Sequence, residues 1–493
     1  MIIGATLADH AARRPAAPAV VCDATEITWQ ELLRQRDRLA VLIEATSPDG
    51  KAVALQLRNC PGFMPLLLAS ISTGREAQIF DPDWPLAMSQ PLIDQVNPGL
   101  VISHQRPAHP HLIEVPDDHP DADALIAAFG GIEEKPLPQR EVSNLAPFYV
   151  GFTSGSTGLP KGYRRHHRSW LESFVVEQEE FGVSADDVLL APGTMTHSLF
   201  LYAAAHAMQV GATLLMSRAF RPDRAIRMGQ EHGATILYGV PSQLRLMAES
   251  ALSSGIQLPL RLIQSSGAKL GESDHALLKR AFPQAVIAEF YGASELSFIA
   301  LRKQGEGAPE TSVGRPFRTV RLAIRDAQGK ELATGETGLV FVESPMVFMG
   351  FATQNEASLR RHGEALSVGD VGFLDERGFL HLVGRADRMI ISSGKNISPE
   401  VVEAALARHP AVKAAAVLGE PDPVRGLRLV AVVSLRAPVS ASALIAHCRE
   451  SLPLAMIPRH VFQTADWPMT RSGKTDFAAL QRQLDGGVLE RLA

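Results

Sequence analysis

Short apolar runs alternate with segments of helical period along the first three hundred residues. Val53-Ala54-Leu55-Gln56-Leu57 reads as a strand, Gly62 to Ile71 as a helix, and Leu100 to Ile102 as a strand again. Phe148 to Phe152, Thr213 to Met216 and Thr235 to Tyr238 repeat the strand pattern. That rhythm predicts an α/β fold built on mostly parallel sheets. The region 106–146, rich in proline and acidic residues, reads as surface connection rather than core. After about residue 300 the texture changes to short strands and glycine turns, as in Val320 to Arg325, Gly338 to Glu343, 369–373 and 378–382. This predicts a β-rich subdomain closing the larger body. Beyond Gly384-Arg385-Ala386-Asp387 a compact α+β unit follows: a helix capped by Ser398 with Pro399 first and Glu400 in its first turn, strands at Ala414 to Leu418 and Leu429 to Leu435, and a helix from Ala441 to Ser451. The expected organisation is α/β, with a large N-terminal domain (1–384) of α/β sheets plus the β-rich subdomain, a connection at 385–388, and a small α+β C-terminal domain (389–493).

Composition narrows the function classes. At 493 residues, with 46% hydrophobic and 20% charged residues, the chain has the length for two to four domains and no signature of extensive disorder. Lys plus Arg number 48 against 53 Asp plus Glu, a net charge of −5, which gives no electrostatic reason to expect nucleic acid or an anionic membrane as partner. The three cysteines, Cys22, Cys60 and Cys448, are far apart and unpaired in sequence, and read as buried reduced thiols. No stretch reaches the ~18 apolar residues of a membrane span, and Met1 to Thr6 lacks a basic leader. A cytoplasmic protein is expected. There is no fixed-period repeat.

The strongest chemical signal is Thr153-Ser154-Gly155-Ser156-Thr157-Gly158-Leu159-Pro160-Lys161-Gly162, directly after the apolar run 148–152 and ahead of an amphipathic helix. Glycines let backbone N–H groups turn inward, hydroxyls donate to phosphate oxygens, and a lysine supplies charge: together, a phosphate cradle. It is not the common mononucleotide loop, because Pro160 and Gly162 stand where that pattern needs Gly and Ser or Thr. Arg164-Arg165-His166-His167-Arg168 is the most basic run, but no aromatic platform accompanies it, and His167 is expected at the start of the following helix, which shows Trp170, Leu171 and Phe174 on one face. His109 and His111 lack further nearby ligands for a metal.

The segment 152–162 resembles the signature loop of the acyl-adenylate-forming superfamily, which includes acyl-CoA synthetases, amino-acid adenylation domains and luciferases. The resemblance runs in order along nearly the whole chain. Residues 193–198, Gly-Thr-Met-Thr-His-Ser, are similar to the segment carrying an aromatic or histidine gate, here His197, beside the acyl pocket. Ser265-Ser266-Gly267-Ala268 looks like the adenine-contacting turn, and Tyr291-Gly292-Ala293-Ser294-Glu295 like the family's Tyr-Gly-x-Thr-Glu. Ser367-Val368-Gly369-Asp370 is similar to the segment whose aspartate binds ribose, 384–388 resembles the hinge, 392–397 the thioester-forming loop, and Ser472-Gly473-Lys474-Thr475-Asp476 the motif of the catalytic lysine.

The resemblance implies a two-step chemistry: a carboxylic acid attacks ATP to give acyl-AMP and pyrophosphate, then a thiol displaces AMP. Glu295 is a suitable oxygen ligand for Mg²⁺ bridging phosphates. Asp370 can accept from both ribose hydroxyls. Thr153 to Gly158 and Lys161 would hold the phosphates; Gly267, Ala268, Tyr291, Gly292, Ser294 and Arg385 would contact the adenosine moiety. Lys474, a long flexible ammonium, would stabilise the charge at the α-phosphate. Asp387 would be the pivot of a mobile C-terminal domain, whose rotation brings Ser393, Gly394 and Lys395 to guide coenzyme A in the second step.

Ser198 stands where amino-acid-activating relatives carry an aspartate for the substrate ammonium, which disfavours α-amino acids. The expected pocket segments, 195–201, 238–241 and 293–298, are mostly apolar and suit a fatty or aromatic acyl group. Acetate-specific relatives narrow the pocket with a tryptophan, which His197 does not resemble. Only 19 residues follow Lys474, so free coenzyme A is the expected acceptor, with a separate acyl carrier protein as the alternative. A non-catalytic nucleotide-binding regulator on this fold would not need Lys474 and Glu295, and both are present.

Overall fold

The apolar runs become the strands of two mainly parallel sheets. A computed structural model describes residues 1–47, 50–115, 120–130, 141–153, 160–353, 359–392, 395–422, 426–470 and 474–493. Among these, one sheet has nine strands, whose parallel centre runs Pro18–Cys22, Thr213–Met216, Val188–Ala191, Ile236–Gly239, Leu262–Ser265 and Val286–Ala293. Antiparallel strands finish its edges, Thr25–Thr28 on one side, Ser297–Lys303 and Arg315–Pro316 on the other. A second sheet has seven, with Leu112–Glu114, Leu100–Ser103, Val53–Gln56, Ala77–Ile79 and Pro147–Thr153 parallel, then Lys161–His166 and Gly350–Phe351 antiparallel. Every residue of Val53–Gln56, Leu100–Ser103 and Ile236–Gly239 is buried, as expected of strands covered on both faces. The helix Phe63–Ser72 buries Phe63 through Ile71 and carries Pro65 in its first turn, where a missing N–H costs nothing.

The region 106–146 corrects one expectation. It contributes the edge strand Leu112–Glu114 and the helix Ala122–Ala128, with Val115, Leu125 and Phe129 buried. The flanking prolines and acids mask these few apolar positions, and Asp121 starts the helix by accepting from Ala124 N (2.8 Å).

By internal contacts the chain divides into two units, residues 1–321 with 342–357, and 322–341 with 358–493. The boundary expected at 384–385 lies inside the second unit, where Asp370–Leu374 and Leu380–Arg385 pair antiparallel, Asp370 against Arg385. The second unit also contains a sheet in which Val412–Asp422 and Gly426–Leu435 pair antiparallel, joined by Ile390–Ser392 and His460–Gln463. Alternation sorts its residues: Val417, Leu429, Ala431 and Val433 pack on the helices Pro399–Ala407 and Ala441–Ser451, while Ala416, Leu418, Val430 and Val432 pack on Phe477–Asp485. Ser398 occupies the N-cap position of its helix, but its side chain makes no capping bond and turns to Met389 Sδ (3.5 Å). No described helix is long and apolar enough to cross a membrane.

Candidate active site

Ligands of parallel α/β sheets bind beyond the carboxyl ends of the strands. In the first unit those ends carry the singled-out motifs. The strand Val188–Ala191 leads into 193–198. Gly239, Ser265 and Glu289 lie side by side on neighbouring strands, so Ser266-Gly267-Ala268 and Tyr291 to Glu295 emerge at the same edge. Gly267 and Ala268 are exposed, and Gly267 sits at φ +89°, open only to glycine without strain. In the second sheet Thr153 ends its strand paired with Lys161, both half-buried. Ser154, Gly155, Ser156, Thr157 and Gly158 lie outside the described residues. The strand Lys161–His166 follows, a return the sequence did not show, and the helix starts at His167 as expected.

Glu295 lies in the turn between Val286–Ala293 and Ser297–Lys303. Ala293 pairs with Ser297, which holds φ +62°, and a Cβ at Gly292 would collide with the Ser297 carbonyl oxygen. Two clamps fix the turn: Arg165 donates to Ser294 O from Nε (3.2 Å) and Nη2 (2.7 Å), and Phe348 N donates to Glu295 O (2.8 Å). Among the described residues no group of three His, Cys, Asp or Glu could hold a metal unaided. One half-buried carboxylate is the donor set of a Mg²⁺ held mainly through phosphates and water, and Glu295 fits it.

His197 caps the helix Ser198–Val210, its Nδ1 accepting from Leu199 N (3.3 Å), and its ring lies 5.7 Å from Phe200. Its segment is held by a residue the sequence did not flag. Buried Asn59 donates to Gly193 O (2.8 Å) and Ser217 O (2.9 Å) and accepts from Met195 N (2.8 Å). Its one readable signal was position, just past the apolar strand Val53–Leu57.

The basic run comes apart in three dimensions. Arg164 pairs with Glu76, Arg168 with Glu172, and His166 caps the helix His167–Phe181 by accepting from Ser169 N (2.9 Å). His167 stands at the helix start as expected; it is buried, accepts from Ile3 N (3.2 Å) and stacks on Phe148, and burial brings its pKa down to about 3. Arg165 is 2% exposed, and burial lowers its pKa to about 10. On the same helix Glu177, in the stripe of Trp170 and Phe174, is fully buried. Tyr238 Oη and Gln264 Nε2 donate to it, and His206 Nδ1 lies 3.0 Å away. Burial alone would push this carboxyl up, but the His206 pairing and those hydrogen bonds outweigh it and hold it below the usual range.

The second unit holds the remaining motifs. Arg385 reaches Asp370 (Nη1 to Oδ1, 3.4 Å) and Val368 O (3.0 Å), and forks onto Asp387 (2.9 and 3.2 Å). The exposed Lys474 is anchored by its backbone, its N–H to Thr470 Oγ1 (3.1 Å) and its carbonyl to Thr470 N (2.6 Å). Ser393 and Gly394 lie outside the described residues, as does the Lys395 side chain.

Residues 7–352 match the AMP-binding enzyme family and 401–474 the AMP-binding enzyme C-terminal domain. Over 492 residues the chain is 32% identical to an uncharacterized acyl–CoA ligase of Bacillus subtilis (strain 168), spanning 99% of both. A 2-succinylbenzoate–CoA ligase of Enterococcus faecalis (strain ATCC 700802 / V583) is 24% identical across 94% of this chain and 95% of its own. The structure of o-succinylbenzoate CoA synthetase from Bacillus subtilis in complex with its acyl-adenylate intermediate aligns with a TM-score of 0.83 at 25% identity, over 98% of both chains. The chain belongs to the acyl-adenylate-forming superfamily of AMP-binding enzymes, as an AMP-forming acid–thiol ligase of the acyl-CoA ligase type.

Proposed function

We propose that this ligase activates a fatty or aromatic carboxylic acid with ATP and Mg²⁺ and passes the acyl group to free coenzyme A. The observation that carries the choice of acid is the helix behind His197. Met195, Leu199, Phe200, Leu201 and Tyr202 are all buried, Tyr202 packs edge-on against Trp170 and Phe298, and Ser198 contributes a hydroxyl where an ammonium would need a carboxylate. The named substrate of one relative, 2-succinylbenzoate, is an aromatic acid and supports the reading.

In this reading Glu295 holds Mg²⁺ on the phosphates, where the ion offsets charge developing during displacement. Thr153 to Gly158 and Lys161 bind the phosphates. Gly267, Ala268, Tyr291, Gly292 and Ser294 line the adenosine, Asp370 takes the ribose, and Arg385 contacts the nucleotide. His197 gates the acyl group. Lys474 stabilises the adenylation step; Ser393, Gly394 and Lys395 serve coenzyme A; and 385–388, with Asp387 as pivot, separates 1–384 from 389–493.

The test is an ATP-dependent screen of aliphatic, aromatic and amino acids with coenzyme A present and absent. Expected are AMP and pyrophosphate, activity on apolar acids, and turnover that requires coenzyme A. Production of ADP and phosphate, or a preference for α-amino acids, refutes the assignment. Single-turnover adenylate formation that free coenzyme A cannot discharge would favour an acyl carrier protein.

A further inference from the structure

Arg165 is a cation folded into the core with, among the described residues, no carboxylate fork to receive it. Its donors go to main-chain oxygens: Nε and Nη2 to Ser294 O, Nη1 to Met346 O (2.9 Å). Around it stand the phenols Tyr149, Tyr163 and Tyr202 and the carboxylate of Glu295, which act on its charge. Tyr149 and Tyr163 hydroxyls are 2.9 Å apart. Burying a guanidinium forfeits its hydration, and an apolar side chain of similar volume would fill the space without that loss. The sequence offers no packing reason for arginine here, since its strand neighbours Tyr163 and Gly162 are buried as well.

What the guanidinium does that a leucine or methionine could not is hold two carbonyls in fixed directions. One belongs to Ser294, the residue immediately before Glu295. The other belongs to Met346, two residues before Phe348, whose N–H holds the Glu295 carbonyl. Arg165 thus bridges both segments that clamp the Glu295 turn. It does so from the strand that begins at Lys161, and residues 161, 163 and 165 share one side of that strand by the two-residue period. The end of the Ser/Gly segment and the Glu295 turn are therefore held by one element.

We infer that Arg165 is a positioning residue for Glu295: its fork sets the carboxylate relative to the phosphate-binding strand, so that the divalent cation and the triphosphate are bound as one unit. The inference rests on the metal role proposed for Glu295. The guanidinium charge itself repels a bare cation, so a purely electrostatic Arg165 would weaken metal binding, whereas a positioning Arg165 strengthens it.

The experiment measures ATP binding by calorimetry in excess Mg²⁺ and in EDTA, with the thermal midpoint of each protein, for the unaltered chain, Arg165→Met and Arg165→Lys. Lysine keeps the charge but cannot fork onto two carbonyls. The expected result is that both variants lose about 10–100-fold of the gain Mg²⁺ gives to ATP binding, the range for removing a group that orients a metal ligand, with binding in EDTA unchanged. A lowered thermal midpoint with the full Mg²⁺ gain retained would mean packing only and overturn the inference. So would equal losses in Mg²⁺ and EDTA, or full restoration by lysine. Should Arg165→Met not fold, Arg165→Lys carries the same test. Failure of the unaltered protein to bind ATP more tightly with Mg²⁺ would instead overturn the proposed metal site, and the inference with it.

Discussion

Asn59 offers the clearest measure of how the segment proposed to gate the acyl group is held. Asn59→Leu keeps the approximate volume and removes three hydrogen bonds of 2.8–2.9 Å. It leaves the N–H of Met195 and the carbonyls of Gly193 and Ser217 facing an apolar side chain in a buried site. An abandoned buried group costs about 1–3 kcal/mol, the N–H more than a carbonyl, so about 2–4 kcal/mol in total is expected once the segment relaxes. Asn59→Asp separates the parts of this effect. It preserves the acceptor for Met195 N but sets an oxygen against two carbonyls, so the folded state favours the protonated acid, which can donate to one of them. With its folded pKa above the unfolded value, the substitution should cost least, relative to the unaltered chain, below about pH 4, and its cost should grow as pH rises through the folded pKa. Urea unfolding followed by tryptophan fluorescence gives the free energies, and acid KM in the adenylation assay reports the displaced His197 segment. A loss under about 1 kcal/mol for Asn59→Leu together with an unchanged acid KM would refute this reasoning.

Glu295→Ala should impair adenylation, because the carboxylate is proposed to hold Mg²⁺ on the phosphates; full pyrophosphate release at limiting Mg²⁺ would count against the metal role. Lys474→Ala should slow adenylation by roughly 10²–10³-fold and spare conversion of supplied acyl-AMP to thioester, whereas Asp387→Pro should spare adenylation and slow the thioester step, because proline fixes φ at the expected pivot. Measured separately, equal losses in both half-reactions for either variant would refute the rotating-domain account. His167 is neutral in the folded state with a pKa of about 3 and binds a proton near 6.5 when unfolded, so stability should be fully present above that value and decline as pH falls toward 3, by up to about 1.4 kcal/mol per pH unit. His167→Phe, which keeps the stack on Phe148, should flatten that slope in a pH series of urea unfolding, and an unchanged slope would show that His167 does not carry it.

The fold was readable wherever periodicity and burial agree. Thr213–Met216, Gly338–Glu343 and Ala441–Ser451 have the expected bounds because each is a short run closed by turn or cap residues. The strand Leu112–Glu114 was not readable, because three residues among prolines are too few to establish a period. Motif order disclosed the fold family, and it is what proposes the segments around Glu295, Asp370 and Lys474 for the site. It could not disclose Asn59, Arg165 or Glu177, whose work depends on partners 29 to 181 positions away. Charge misled at 164–168: five adjacent polar residues look like a surface patch, yet strand alternation and the helix start send Arg165 and His167 inward and leave Arg164 and Arg168 to ion pairs.

The pairing of Thr153 with Lys161 bears on how readily this enzyme can be re-engineered. The stems on either side of 154–159 are joined to each other, and the outer stem is joined in turn to Gly350–Phe351, with Thr353 Oγ1 accepting from Gly162 N (2.9 Å). If residues 154–159 bind the phosphates as proposed, that stretch should be exchangeable as a cassette with the equivalent stretch of another member of the superfamily, because the flanking strands keep ladder bonds of their own.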